Sequence, residues 1–125
     1  TGAWVPMDGI TVVSKAHESC PDQQILQVAG YIDTTTSAEL EREIKSLIHA
    51  GRYRIIVDLS RVSYISSAGW GIFISVIREI RENSGDLRLV GMVPDVYEVF
   101  ELLEFQNILG AYHTVEEAVA AAATS

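Results

Sequence analysis

The sequence predicts an α/β domain with a mixed central sheet of about four to five strands packed against about four helices. Three observations predict it. Short β-branched runs alternate along the chain with stretches of helical period. Helix-start motifs stand in front of two of those stretches. Hydrophobic residues make up 48% and charged residues 21% of 125 residues, which supports one domain with a real core and argues against disorder.

Thr1 to Gly9 shows no periodicity and reads as a tail. Ile10 to Val13 predicts a short strand, and Pro21-Asp22 marks a turn within Ser19 to Gln24. Ile25 to Ile32 reads as a second strand, the hairpin partner of the first. Thr36 and Glu39 fit a capping box, and Leu40, Ile44, Leu47 and Ile48 follow as one apolar stripe, with Gly51 as a stop. Arg54 to Leu59 is too brief for a helix and suits a strand buried on both faces. A helix from Ser67 is closed by Asn83-Ser84-Gly85, and Leu87 to Met92 is the next strand. Pro94 suits the first turn of a helix from Asp95 to Leu103. Ile108 to Tyr112 reads as a short strand, and Thr114 with Glu117 caps an alanine-rich final helix.

The net charge of −8 disfavours nucleic acid, which demands a positive footprint against phosphates. An acidic domain more naturally meets a protein with a basic face, or is simply kept soluble by its charge. No apolar run approaches the roughly 20 residues that span a bilayer, so no direct membrane insertion is expected. Cys20 is the only cysteine, and the N-terminus lacks the features of a secretory signal; together these favour a cytoplasmic location.

Ser66-Ser67-Ala68-Gly69 lies at a strand-to-helix turn, the edge where α/β proteins place working residues. Ser66 is the natural cap, since its side chain can accept a first-turn amide. Ser67 then stands in the first turn with its hydroxyl available. At roughly 100° per residue, Ile72, Phe73, Val76, Ile77 and Ile80 form the core stripe, and Ser67 falls near the line of Ile74 and Arg78. Trp70 and Gly71 flank that line. The outward face is therefore expected to carry Ser67, Trp70 and Ile74, with Trp70 either anchoring a partner or tucking against a neighbouring loop. A phosphate on Ser67 would be tolerated by the helix dipole yet would oppose binding at an apolar contact.

At these residues the sequence resembles the STAS domain family, and within it the single-domain anti-sigma factor antagonists. "GYIDTTTSAEL" (Gly30 to Leu40), "IIVDLSRVSYISSAGWGIFI" (Ile55 to Ile74), "LRLVGMVPDVYEVFELLEF" (Leu87 to Phe105) and "AYHTVEEAVAA" (Ala111 to Ala121) resemble its blocks in order and spacing. The resemblance implies a STAS domain over residues 9–123, with residues 1–8 a flexible tail or cloning remnant. It implies a binding module and not an enzyme. The unphosphorylated antagonist binds an anti-sigma factor that is also a GHKL-type serine kinase; phosphorylation releases it, and a metal-dependent serine/threonine phosphatase restores it. No cofactor is implied. Many members read Asp-Ser-Ser-Gly or Asp-Ser-Thr-Gly at the turn, where this chain has Ser66 in the Asp place and Ala68 in the second hydroxyl place. Ser67 matches the first hydroxyl and is the implied phosphorylation site. The implied contact residues are Asp33, Thr34, Ser66, Ser67, Ala68, Gly69, Trp70, Ile74 and Arg78; for Asp33 a turn or cap role stands equally open. Glu104-Phe105 replaces a Gly-Leu pair of many members, which implies a different loop.

The alternative is a STAS docking subunit of a transporter or larger signalling assembly, with no phosphate cycle. A serine-dependent enzyme ranks last, because no base is recognisable near Ser67. His17, His49 and His113 are dispersed without metal spacing, and satisfied or surface roles are expected for them. The edge strands or the Trp70 face could support a weak homodimer.

Overall fold

The hairpin of β1 (Ile10–Ala16) and β2 (Gln24–Ile32) opens the domain, antiparallel in register from Ile10 opposite Gly30 to Ala16 opposite Gln24. The computed structural model describes residues 9–123, so the predicted tail over residues 1–8 lies outside the described residues. The turn between the two strands closes around His17. Its Nδ1 accepts the amides of Ser19 and Cys20 at 3.2 and 3.0 Å, and its Nε2 lies 3.1 Å from a Glu116 carboxylate oxygen. His17 is thus a satisfied, buried histidine.

Three parallel pairings extend the sheet. β3 (Arg54–Ile65), β4 (Asp86–Val90) and β5 (Gly110–Tyr112) add in sequence order, giving a five-stranded mixed sheet β1-β2-β3-β4-β5. The crossovers are α1 (Ser37–His49), α2 (Ser67–Glu82) and α3 (Pro94–Leu102), the last followed by a 3-10 turn at Phe105–Asn107. Parallel neighbours require such crossovers, and the helices bury the strands they connect. Leu40, Ile44 and Ile48 of α1, Phe73, Val76, Ile77 and Ile80 of α2, and Val96 and Phe100 of α3 share one core with the sheet. The final helix, α4 (Val115–Ala123), sets Ala118 against Ile56 and Val90 in a smaller core.

β3 runs six residues past its predicted end at Leu59. Beyond Leu59 only Val62 and Ile65 are buried, while Ser60, Arg61, Ser63 and Tyr64 are exposed, so the apolar signal fades although pairing with β2 continues. Register shifts between Gln27 and Ala29, and between Gly30 and Tyr31, accommodate this spacing. The box predicted at Thr36 and Glu39 does not form. The Thr36 hydroxyl donates to the Tyr31 carbonyl at 2.7 Å and accepts the Asp33 amide at 2.9 Å, so it is spent on the end of β2. The Thr114 box holds in modified form: its hydroxyl accepts the Glu117 amide, and the Glu117 carboxylate accepts the amide of His113, one residue further out.

Candidate functional site at the β3–α2 turn

The carboxyl ends of β2 and β3 are tied together by the Ser66 amide, which donates to the Ile32 carbonyl at 2.7 Å. Two turns therefore lie side by side at one edge of the sheet: Asp33 to Thr36 leading into α1, and Ser66 to Gly69 leading into α2. In the first, Asp33 acts as the cap. Its Oδ1 accepts the amides of Thr35 and Thr36, both at 2.9 Å, and its carbonyl accepts the amide of Ser37. Those bonds to the charged form, the Thr36 amide foremost and partial desolvation opposing, hold the Asp33 carboxyl below the ordinary carboxylate range. Thr34 is exposed at the crest of this turn.

In the second turn Ser66 is extended, and its Oγ accepts the Gly69 amide at 3.2 Å. Ser66 is thus the cap, as the sequence predicts. Ser67 is the first residue of α2, exposed, and its Oγ has no hydrogen-bond partner among the described residues. Ala68 is half-buried. Gly69 is buried because the chain crosses Ile32 and Ile65 at close range there. Along the line of Ser67, Ile74 is half-buried and packed against the core, while Arg78 is exposed.

Trp70 corrects the sequence reading. It is 2% exposed and does not belong to the outward face. Its ring lies 5.2 Å from that of Phe105, 5.9 Å from Phe100 and 6.2 Å from Phe73. It stands at i, i+3, i+7 with Phe73 and Ile77, so the helical period itself places it on the core stripe. Its Nε1 has no hydrogen-bond partner among the described residues. A dimer through an exposed Trp70 face is ruled out by this burial. Trp70 and Gly69 shape the turn from beneath, and the accessible surface is made by Thr34, Ser67 and Arg78 with parts of Asp33, Ser66, Ala68 and Ile74.

Sequence reasoning missed two tyrosines at this edge. Tyr31 and Tyr64 pair in register and are each about half exposed, on the sheet face opposite that of their buried neighbours Ile32 and Ile65. Strand alternation next to those isoleucines was the available signal. Among the described residues, no group of three or more His, Cys, Asp or Glu could hold a metal ion, and no helix is long and apolar enough to cross a membrane.

A mixed sheet with helical crossovers, carrying a free hydroxyl on a strand-to-helix turn, defines an α/β domain. The family model for the STAS domain matches residues 12–118, and the chain belongs to that family. Over 96 residues it is 34% identical to a protein assigned as the anti-sigma factor antagonist BtrV of Bordetella bronchiseptica, covering 77% of this chain and 83% of the relative. Its fold is similar to that of an anti-sigma factor antagonist from Mycobacterium paratuberculosis, with a TM-score of 0.82, 23% identity, and coverage of 94% and 97% of the two chains. It is also similar in fold to the anti-sigma factor antagonist SpoIIAA in its unphosphorylated form, with a TM-score of 0.72, 21% identity, and coverage of 90% and 98%.

Proposed function

We propose that this protein is an anti-sigma factor antagonist of the cytoplasm. It binds an anti-sigma factor that is also a GHKL-type serine kinase, and it is switched off by phosphorylation of Ser67. A serine/threonine phosphatase resets it. One observation carries the switch: Ser67 is the exposed first residue of α2, its hydroxyl unpaired, while the neighbouring Ser66 does the capping. Modification at Ser67 therefore adds charge to a contact surface without removing a bond that the fold uses. The similarity to BtrV and to SpoIIAA supports the kind of partner.

Phosphopeptide mapping across Tyr64 to Arg78, on protein from growing and stressed native cells, tests the cycle. Binding of the anti-sigma factor encoded by the same genome, to wild type, Ser67→Ala and Ser67→Asp, tests the switch. Ser67→Ala should bind like wild type and Ser67→Asp at least about tenfold more weakly. Equal binding by Ser67→Asp would defeat the switch. An unmodified Ser67 under both conditions would leave a docking module without a phosphate cycle.

A further inference from the structure

We propose that two copies of this chain associate face to face through the part of the sheet that α4 leaves open, with Arg61 of each copy set on Asp58 of the other.

Strand alternation sorts the sheet into two faces. Ile55 and Val57 join the core beneath α1, α2 and α3, whereas Ile56 packs against Ala118 of α4, so α4 lies on the opposite face. On that opposite face the pairing register sets Val13-Gln27-Asp58 and Thr11-Ala29-Arg61 as adjacent cross-strand rows over β1, β2 and β3. The row Lys15-Ile25-Ile56 flanks them on one side, bordered by Val115 and Glu116 of α4. The pair Tyr31-Tyr64 flanks them on the other. Val13, Tyr31 and Tyr64 are 56%, 54% and 53% exposed, and the two middle rows line a shallow depression of about 250 Å³. Large side chains exposed together in this way mark an interaction surface.

Charge selects the occupant. Asp58 and Arg61 line the same depression, yet neither forms an ion pair among the described residues. The Asp58 Oδ1 accepts the Ser60 amide at 3.0 Å, and its Oδ2 has no partner among the described residues. β3 carries an extra residue here, since Asp58 to Arg61 lies opposite the shorter step from Gln27 to Ala29. The two charges therefore stand roughly 7–10 Å apart along the strand. A purely acidic or purely basic partner would satisfy one of them and repel the other. A twofold axis crossing β3 between them satisfies both, because each residue then meets its counterpart on the second copy.

The same axis fits the shapes. It exchanges the Asp58 row with the Arg61 row, and the tyrosine pair with the row beside α4. Each copy's tyrosines thus meet the other copy's α4. Facing sheets pack ~10 Å apart and a helix with its side chains is ~10–12 Å across, so each α4 fills the gap over the other's open rows. With strands ~4.8 Å apart and rows ~6.7 Å apart, the footprint is roughly 400 Å² on each copy. That is about half of a standard interface, so the association is weak, with Kd on the order of 100 µM. Neither the free edge of β1 nor Trp70 takes part.

Sedimentation of the purified full-length chain from about 10 µM to about 1 mM tests this, at ~0.15 M salt because the net charge of −8 on each copy opposes association. The mass should rise from monomer towards dimer. Arg61→Asp sets carboxylate against carboxylate and should weaken the dimer at least about tenfold. Adding Asp58→Arg to it should restore the wild-type constant to within about threefold. Val13→Asp should weaken it as strongly and leaves the Asp58 bond to Ser60 in place, so it stands as the test if the doubly reversed chain does not fold. On dilution, amide NMR shifts of wild type should move at Thr11, Ala29, Arg61 and Tyr64 and stay fixed along the outer face of α1. A chain that stays monomeric throughout overturns the proposal. So does a dimer that ignores both Arg61→Asp and Val13→Asp, or one whose dilution shifts fall on another surface.

Discussion

Gly69 and Gly71 sit two residues apart on α2, and the structure assigns opposite signs to the same substitution. A Cβ at Gly69 would stand 2.5 Å from Cγ2 of Ile32, 2.9 Å from Cγ2 of Ile65 and 3.2 Å from the Ile32 carbonyl oxygen. Carbon contacts are comfortable only near ~3.5–4.0 Å. Both methyls hang directly from a β-branched carbon with one stiff rotamer, so the ends of β2 and β3 must move to make room. Overpacking of this kind costs about 1–3 kcal/mol, against which a helical alanine returns at most about 1 kcal/mol. With the full alanine gain subtracted, the net loss for Gly69→Ala is about 0–2 kcal/mol, or up to ~8 °C in Tm for a domain of this size. At Gly71 a Cβ meets nothing within 4 Å. Gly71→Ala should therefore gain up to about 1 kcal/mol, raising Tm by ~4 °C. Thermal unfolding by circular dichroism, paired with urea titration, measures both. A Gly69→Ala protein that melts as high as Gly71→Ala would refute the close-approach argument.

Glu104→Gly should relieve about 1 kcal/mol of left-handed strain and return part of it as glycine's chain entropy, leaving Tm ~2 °C higher in a thermal melt. Trp70→Ala should cost ~3–5 kcal/mol by emptying the site between Phe73, Phe100 and Phe105, whereas Trp70→Phe should cost far less, because it also removes a buried N–H with no partner; urea midpoints compare the two. Asp33 has a depressed native pKa, so the stability it contributes is fully present above its unfolded value near ~3.9 and is lost as pH falls through the lower native value. Asp33→Ala should accordingly lower Tm at neutral pH and flatten the acid limb of a Tm–pH profile below ~4.

Much of this architecture is legible because its signals are local. The stripes Leu40-Ile44-Ile48 and Phe73-Ile77-Ile80 specify two helices, and Pro94 marks the start of a third. The cap at Ser66 follows from residue type alone. What escaped depended on partners outside the local helical pattern, near in sequence for Thr36 and remote for Trp70. Thr36 looks like a capping-box serine substitute until the end of β2 claims its hydroxyl. Trp70 looks like an interface anchor until Phe100 and Phe105 arrive from thirty or more residues away.

The turn's hydrogen bonds also bear on how a phosphate at Ser67 would act. In the first turn of α2 the Gly69 amide is taken by Ser66 Oγ and the Trp70 amide by the Ser66 carbonyl, while the amides of Ser67 and Ala68 have no partner among the described residues. A phosphate on the first residue can draw on those amides and on the helix dipole, at about 0.3–1 kcal/mol. The first cation along α2 is Arg78, eleven residues and roughly 16 Å further along the axis. That is beyond the ~8 Å screening length at physiological salt. Along α2 the phosphate therefore has no guanidinium to capture and no segment to reorder, and its effect falls on whatever approaches the turn. Ser67→Asp, or enzymatically phosphorylated protein, should melt at or up to ~4 °C above wild type, and its amide NMR shifts should change only near the Ser66 turn. Shifts spreading into β3 or α1, or a fall in Tm, would mean that the charge works through the fold and not against the partner.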